Sequence, residues 1–158
     1  MTISIVCVGK LKEKYLRDAV SEYEKRLSRY ATVKILEAED ERTDVKSEAE
    51  ALKVKEIEGQ RILKLLPKDC YVVALDLRGK QMTSEQLSDH TRRWMELGRS
   101  NVAYIIGGSL GLSKEVLDRA DYKLKFSEMT FPHQLMRVIL LEQLYRAEKI
   151  ARNESYHK

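Results

Sequence analysis

The chain has 158 residues, of which 43% are hydrophobic and 34% charged, with a net charge of +4 and an isoelectric point near 9.0. This balance is typical of a soluble protein and predicts one domain, residues 1–158, with its own core. No apolar run approaches membrane-spanning length, and no basic segment or cleavage site marks the apolar start as a signal peptide. The basic charge permits nucleic acid as a partner without requiring it.

Two cysteines, Cys7 and Cys70, lie in or at the start of predicted strands. Two isolated thiols are too few for a disulfide framework or a zinc site. We therefore expect both to be small buried residues in a reducing cytoplasm, and we expect no bound metal.

Short apolar runs alternate with longer amphipathic stretches along the chain. The apolar runs predict strands over Ile3 to Val8, Val33 to Ala38, Tyr71 to Leu77, Val102 to Ile106 and Tyr122 to Ser127. The amphipathic stretches predict helices over Lys14 to Tyr30, Ser47 to Leu66, Ser84 to Leu97 and Pro132 to Arg152, with a short helix opened by Ser113. This alternation predicts an α/β fold with a mainly parallel sheet of five to six strands and helices on both faces.

Local signals add detail to three of these elements. Ser47 with Glu50, and Thr83 with Gln86, have the spacing of capping boxes. The strand from Tyr122 to Ser127 alternates apolar residues with lysines, which predicts a half-buried strand near an edge of the sheet.

The strand from Val102 to Ile106 runs directly into Gly107 and Gly108. Adjacent glycines at the carboxyl end of a buried strand allow a sharp turn and let a ligand lie against bare main chain. The spacing to Gly111 matches neither the dinucleotide fingerprint nor a P-loop. A ligand-binding loop and an ordinary tight turn therefore both agree with the pattern.

His133 and Arg137 follow Pro132 at the start of the last predicted helix and share one helix face. A guanidinium can bind phosphate or a uracil-type carbonyl, and a helix N-terminus favours the neutral imidazole. Equally, His133 suits a loop cap, and Arg137 suits an ion pair with an acid. The final Tyr156 and His157 either belong to a disordered tail or close over a base, since aromatic rings stack on bases.

The last predicted helix is apolar around more than one face. Leu135, Val138, Ile139 and Leu141 are not confined to a single stripe. A helix of this kind needs a second covering surface, which in a chain of this size predicts another copy of the chain.

Four segments recur together in one known family. They are Ile-Gly-Gly-Ser-Leu-Gly-Leu at 106–112, Phe-Ser-Glu-Met-Thr-Phe-Pro-His-Gln-Leu-Met-Arg at 126–137, Glu-Gln-Leu-Tyr-Arg-Ala at 142–147 and Tyr-His-Lys at 156–158. In these segments the chain resembles the RlmH family of SPOUT-class methyltransferases, which modify N3 of pseudouridine 1915 in 23S rRNA. The resemblance extends over essentially the whole sequence.

This resemblance implies S-adenosyl-L-methionine as the cofactor, a C-terminal trefoil knot that holds it, and a homodimer. It also implies that the assembled ribosome, with its 23S rRNA, is the substrate. The pattern of strands and helices alone would predict an unknotted sheet, because true knots are nearly absent from proteins. The cofactor contacts that the resemblance implies are Leu75, Gly107, Phe126, Ser127, Glu128, Met129, Thr130 and Phe131.

The implied reaction requires an imide nitrogen to lose its proton. We hypothesise that His133 is the base and that Arg137 stabilises the imidate or holds a phosphate, with Tyr156 and His157 as second candidates for stacking and proton handling. Solvent as the proton acceptor is an open alternative. Two other functions also remain open: a non-catalytic ribosome-binding factor, and a flavodoxin-type oxidoreductase, which the single Gly9 after the first strand disfavours.

Overall fold

A computed structural model describes residues 1–41 and 44–156 of the chain. Five strands and five helices alternate along this described part, in agreement with the sequence pattern. In chain order the elements are β1 (Thr2–Val8), α1 (Lys14–Leu27), β2 (Thr32–Ala38), α2 (Glu48–Leu65), β3 (Tyr71–Gln81), α3 (Ser84–Glu96), β4 (Asn101–Ile106), α4 (Lys114–Arg119), β5 (Tyr122–Lys125) and α5 (His133–Ala151). Arg42 and Thr43 of the predicted loop after β2 lie outside the described residues.

The strands form one sheet in the order β2–β1–β4–β3–β5. Every neighbouring pair is parallel, so the predicted parallel α/β sheet is confirmed with five strands among the described residues. β5 lies at an edge, as its alternating sequence predicts. The carboxyl ends of β1, β3 and β4 are neighbours in this order, which places the loops after them at one end of the sheet.

Helices cover both faces of the sheet, also as predicted. Alternate residues of a strand point to opposite faces, so Tyr104 belongs to one core and its neighbour Ile105 to the other. The first core packs the sheet against α1, α3 and α5, and the second packs it against α2 and α4. The central strands are buried on both sides and contain few polar residues for this reason.

The apolar last helix, α5, lies between α1 and α3 and contacts both. Val138, Ile139 and Tyr145 are partly buried against the first core, so neighbouring helices cover part of the apolar surface that the sequence left unexplained. Leu135 remains 37% exposed. The homodimer inferred from this helix stays a prediction, as does the trefoil knot.

The helix caps differ in one detail from the sequence pattern. Thr83 and Gln86 form a complete capping box at α3. At α2 the hydroxyl of Ser47 accepts from the N–H of Glu50, but the Glu50 carboxylate accepts from the N–H of Lys46 instead of that of Ser47. The box is therefore half formed, because Glu50 reaches one residue further back.

Strand β3 is longer than the sequence suggests and is interrupted. Leu75 and Lys80 both pair with Leu124 of β5, so residues 76–79 leave the ladder as a four-residue excursion. A Cβ on Gly79 would lie 2.9 Å from the backbone nitrogen of Leu124, so only glycine lets the chain return this close to β5. We call residues 76–79 the β3 excursion.

Candidate active site

Residues 107–112, which follow β4 and which we call the glycine loop, form a compact turn. Gly108 and Gly111 pair with each other, with the Gly111 N–H donating to the Gly108 carbonyl over 3.0 Å. Gly111 has a φ of +89°, in the left-handed region that favours glycine. A Cβ on Gly107 would lie 2.9 Å from the Leu112 side chain and 3.0 Å from the carbonyl carbon of Gly111, so a larger residue here would force the loop to shift. Three of its first five residues are glycines, so the loop exposes more main chain than an ordinary turn, as a ligand-binding loop would.

A second loop, residues 126–132, connects β5 with α5. The Ser127 hydroxyl accepts from the N–H of Met129 over 3.0 Å, which tightens the turn. The Glu128 carboxylate points to solvent, 79% exposed, and pairs with Lys125. Met129 is 74% exposed at the rim.

These two loops and residues 75–78 of β3 border a cavity of about 780 Å³. Its volume lies within the usual range for small-molecule sites, about 300–1,000 Å³. All of the predicted cofactor contacts except Glu128 line this cavity: Leu75, Gly107, Phe126, Ser127, Met129, Thr130 and Phe131. The fold thus brings together residues up to 56 positions apart, although their contact with a cofactor stays a prediction.

His133, the first residue of α5, also lines the cavity. Burial and the nearby Arg137 guanidinium lower the pKa of His133 below its ordinary value, an effect that Asp40 partly opposes. The imidazole is therefore neutral near pH 7 and has a lone pair that can accept a proton.

Arg137 lies one turn further along α5 and is 1% exposed. Its guanidinium pairs with the Glu37 carboxylate of β2 over 2.7 Å. It also donates to the carbonyl oxygens of Val8, at 3.1 Å, and Gly9, at 2.6 Å. Arg137 does not line the cavity, and these contacts connect α5 to the carboxyl ends of β1 and β2.

Tyr156 lies elsewhere. Its hydroxyl donates to the Glu142 carboxylate over 3.1 Å, and its ring packs edge-on against Tyr145 at 5.0 Å and under Arg146 at 4.6 Å. Glu142 is nine residues beyond His133, which is two and a half helical turns, or about 13 Å, and the opposite face of α5. Tyr156 therefore does not join His133 within this chain. His157, the fourth catalytic candidate, lies outside the described residues.

Sequence reasoning missed three charged residues that line the cavity, Lys55, Asp76 and Arg78. The position of Asp76, directly after Leu75 at the carboxyl end of a strand, was a usable signal, since ligands of parallel sheets bind there. Lys55 lies on α2, and no sequence pattern connects it to this loop region.

It also missed Glu58 of α2, which is 4% exposed beneath the glycine loop. Its carboxylate accepts from the N–H of Glu41 over 3.1 Å, and a Cβ on Gly108 would lie 3.0 Å from it. Burial raises the pKa of Glu58 above its ordinary value, while the hydrogen bond from Glu41 opposes that shift. Glu58 thus packs against the glycine loop and limits its position.

Across residues 1–41 and 44–156, no three His, Cys, Asp or Glu side chains are grouped so that they could hold a metal ion. Over the same residues, no helix combines the length and the apolar character that crossing a membrane requires.

The chain is similar to known proteins over its whole length. Residues 1–157 match the sequence model of a family described as predicted SPOUT methyltransferases. The chain is 59% identical over 159 aligned residues to the ribosomal RNA large subunit methyltransferase H of Clostridium novyi (strain NT), and 57% identical to that of Bifidobacterium animalis subsp. lactis (strain AD011). Both alignments cover all of this chain and all of the relative.

Among solved structures, the chain resembles a probable methylase family protein from Haemophilus influenzae Rd KW20, with a TM-score of 0.56. The match covers 99% of this chain and 70% of that one at 14% sequence identity. At this identity the likeness shows a shared fold.

Proposed function

Because this chain belongs to the SPOUT methyltransferase family, and within it to the RlmH family, we propose that it methylates N3 of pseudouridine 1915 in 23S rRNA. The methyl donor in this proposal is S-adenosyl-L-methionine. The observation that carries the proposal is the cavity between the two loops, which has a neutral histidine in its wall. The two relatives of this chain named above align with it over their full length and bear the name of a ribosomal RNA methyltransferase.

The cavity fits the proposed cofactor. The main chain of the glycine loop and of residues 126–131 can offer N–H and C=O groups to an adenine edge and a ribose. Leu75 and Phe131 supply apolar walls. When bound, the cofactor supplies an activated methyl group, so the protein chiefly aligns donor and acceptor.

We assign the role of proton acceptor to His133. The N3 of pseudouridine must lose a proton before it can accept a methyl group, and a neutral imidazole at the cavity wall can take it. Arg137 remains a candidate for binding the imidate, although its contacts with Glu37, Val8 and Gly9 support an anchoring role.

The proposed enzyme works as a homodimer in the cytoplasm and acts on the assembled ribosome. Tyr156 packs on the face of α5 opposite His133, so it does not reach the cavity of its own chain. If Tyr156 acts in catalysis, it must do so at the cavity of a second copy of the chain. Sedimentation gives the test: a mass of about twice 18.4 kDa supports the dimer, and a monomeric mass at micromolar concentration contradicts it.

The activity is tested by transfer of labelled methyl groups from S-adenosyl-L-methionine to intact ribosomes and, in parallel, to naked rRNA. Both substrates come from cells that lack the modification. We expect transfer to ribosomes, mapped to the pseudouridine. Cofactor binding without transfer to either substrate would contradict the proposed substrate, and absence of cofactor binding as well would favour a non-catalytic ribosome-binding factor.

A further inference from the structure

The wall of the cavity contains a single carboxylate among its described lining residues, that of Asp76. Asp76 is the first residue of the β3 excursion and directly follows Leu75, one of the predicted cofactor contacts. Its side chain is 14% exposed, so it is directed largely away from solvent. Because the backbone at Gly79 lies close to β5, the excursion returns to the sheet within four residues, and Asp76 lies at the cavity wall.

The charge next to Asp76 has the opposite sign. The Arg78 guanidinium, 74% exposed, lies 3.2 Å from one oxygen of the Asp76 carboxylate. Arg78 also lines the cavity. The β3 excursion therefore offers an inner carboxylate and an outer guanidinium side by side, while most of the remaining wall is apolar or glycine main chain.

This pair is complementary to an amino-acid zwitterion. S-Adenosyl-L-methionine has a neutral adenosine part and an amino-acid part with one ammonium and one carboxylate. Main-chain groups of the loops can satisfy the neutral part, but an ammonium leaving water for a largely apolar cavity needs an opposite charge and hydrogen-bond acceptors. The sulfonium has no N–H to donate, so the ammonium is the group that a carboxylate holds by hydrogen bonds.

We propose that the Asp76 carboxylate binds the α-ammonium of the cofactor's amino-acid part and that Arg78 faces its carboxylate. This assignment rests on the proposed cofactor. It makes the β3 excursion the element that distinguishes S-adenosyl-L-methionine from adenosine compounds without an amino-acid part.

The test compares Asp76→Asn with the unaltered protein by calorimetric titration with three ligands. These are S-adenosyl-L-methionine, S-adenosyl-L-homocysteine, which keeps the ammonium but lacks the sulfonium charge, and 5′-methylthioadenosine, which lacks the amino-acid part. We expect the first two to bind roughly 10- to 100-fold more weakly and by similar factors, the range for losing one charge-assisted hydrogen-bonded contact. Binding of 5′-methylthioadenosine should be unchanged.

The matched control is Asp89→Asn, which breaks a similar aspartate–arginine pair on the surface of α3. It should leave all three affinities unchanged. Equal weakening of all three ligands by Asp76→Asn would overturn the assignment, since it would indicate a ribose contact or general damage, and unchanged affinity for S-adenosyl-L-methionine would overturn it too. If the unaltered protein binds 5′-methylthioadenosine and S-adenosyl-L-methionine equally, the amino-acid part has no site here. If it binds no ligand, the proposed cofactor itself is refuted.

Discussion

Replacing Arg137 separates an anchoring role from a catalytic one. The guanidinium joins α5 to β2 through Glu37 and to the end of β1 through the carbonyl groups of Val8 and Gly9. Arg137→Met keeps an apolar stem of similar length and removes all three contacts. Arg137→Lys keeps the charge, but a single ammonium lacks the planar fork that reaches several acceptors.

The structure sets the size of the effect. Breaking a buried ion pair by removing one partner costs about 3–5 kcal/mol, because the other partner is left buried and unpaired. The Glu37 side chain is 34% exposed and can regain water, so the lower end applies and we expect Arg137→Met to lose about 3 kcal/mol. For a chain of this size that lowers the melting temperature by roughly 6–12 °C. Arg137→Lys should lose about half as much, since it keeps some hydrogen bonds to charged acceptors.

Urea unfolding measures this loss. Trp94 is the single tryptophan, 4% exposed in the first core, so its fluorescence reports unfolding. Protein concentration must be equal in all samples, because a dimer's stability depends on it. Arg92→Met, which removes an exposed pair with Asp89, is the control and should leave the midpoint unchanged. The anchoring argument is refuted if Arg137→Met unfolds at the unaltered midpoint while methyl transfer is lost.

Three other replacements test the site. His133→Ala should lower methyl transfer by about 10²- to 10⁴-fold, the range for losing a general base, while cofactor affinity is retained. The control is His90→Ala, which removes a ring packed on Trp94 outside the cavity. Full turnover by His133→Ala would leave solvent as the proton acceptor. Since burial raises the pKa of Glu58, the folded protein should lose stability as pH rises from about 4.5 through the folded-state pKa. Urea unfolding between pH 4 and 7 measures this loss, and Glu58→Gln should remove that part of the dependence of the unfolding free energy on pH. The same pH dependence in both proteins would contradict the prediction. Gly107→Ala should destabilise the protein by about 1–3 kcal/mol and weaken cofactor binding, because its Cβ overlaps the glycine loop, and unchanged affinity would show that the loop adapts.

Much of the fold and part of the site follow from local sequence. Alternating periodicities predict the five strands, the five helices and the parallel sheet, and the Gly107–Gly108 pair after β4 predicts the side of the sheet where the cavity lies. The motif at 126–137 predicts the second loop and His133. These features are local because hydrophobic period and turn chemistry act over a few residues.

Other features depend on contacts between distant parts of the chain. Whether Arg137 faces the cavity or an acid is decided by Glu37, 100 residues earlier, and by where β1 and β2 end. The position of Tyr156 depends on Glu142 and on the packing of α5. The inward placement of Asp76 depends on the β3 excursion, because Leu75 and Lys80 on either side of it both pair with Leu124. The sequence alone determined which residues could form strands and turns, and it identified His133 and Arg137 as candidates for chemistry. Tertiary packing decided which of them share a cavity, because a buried charge is directed to whichever partner satisfies it after the distant segments have come together.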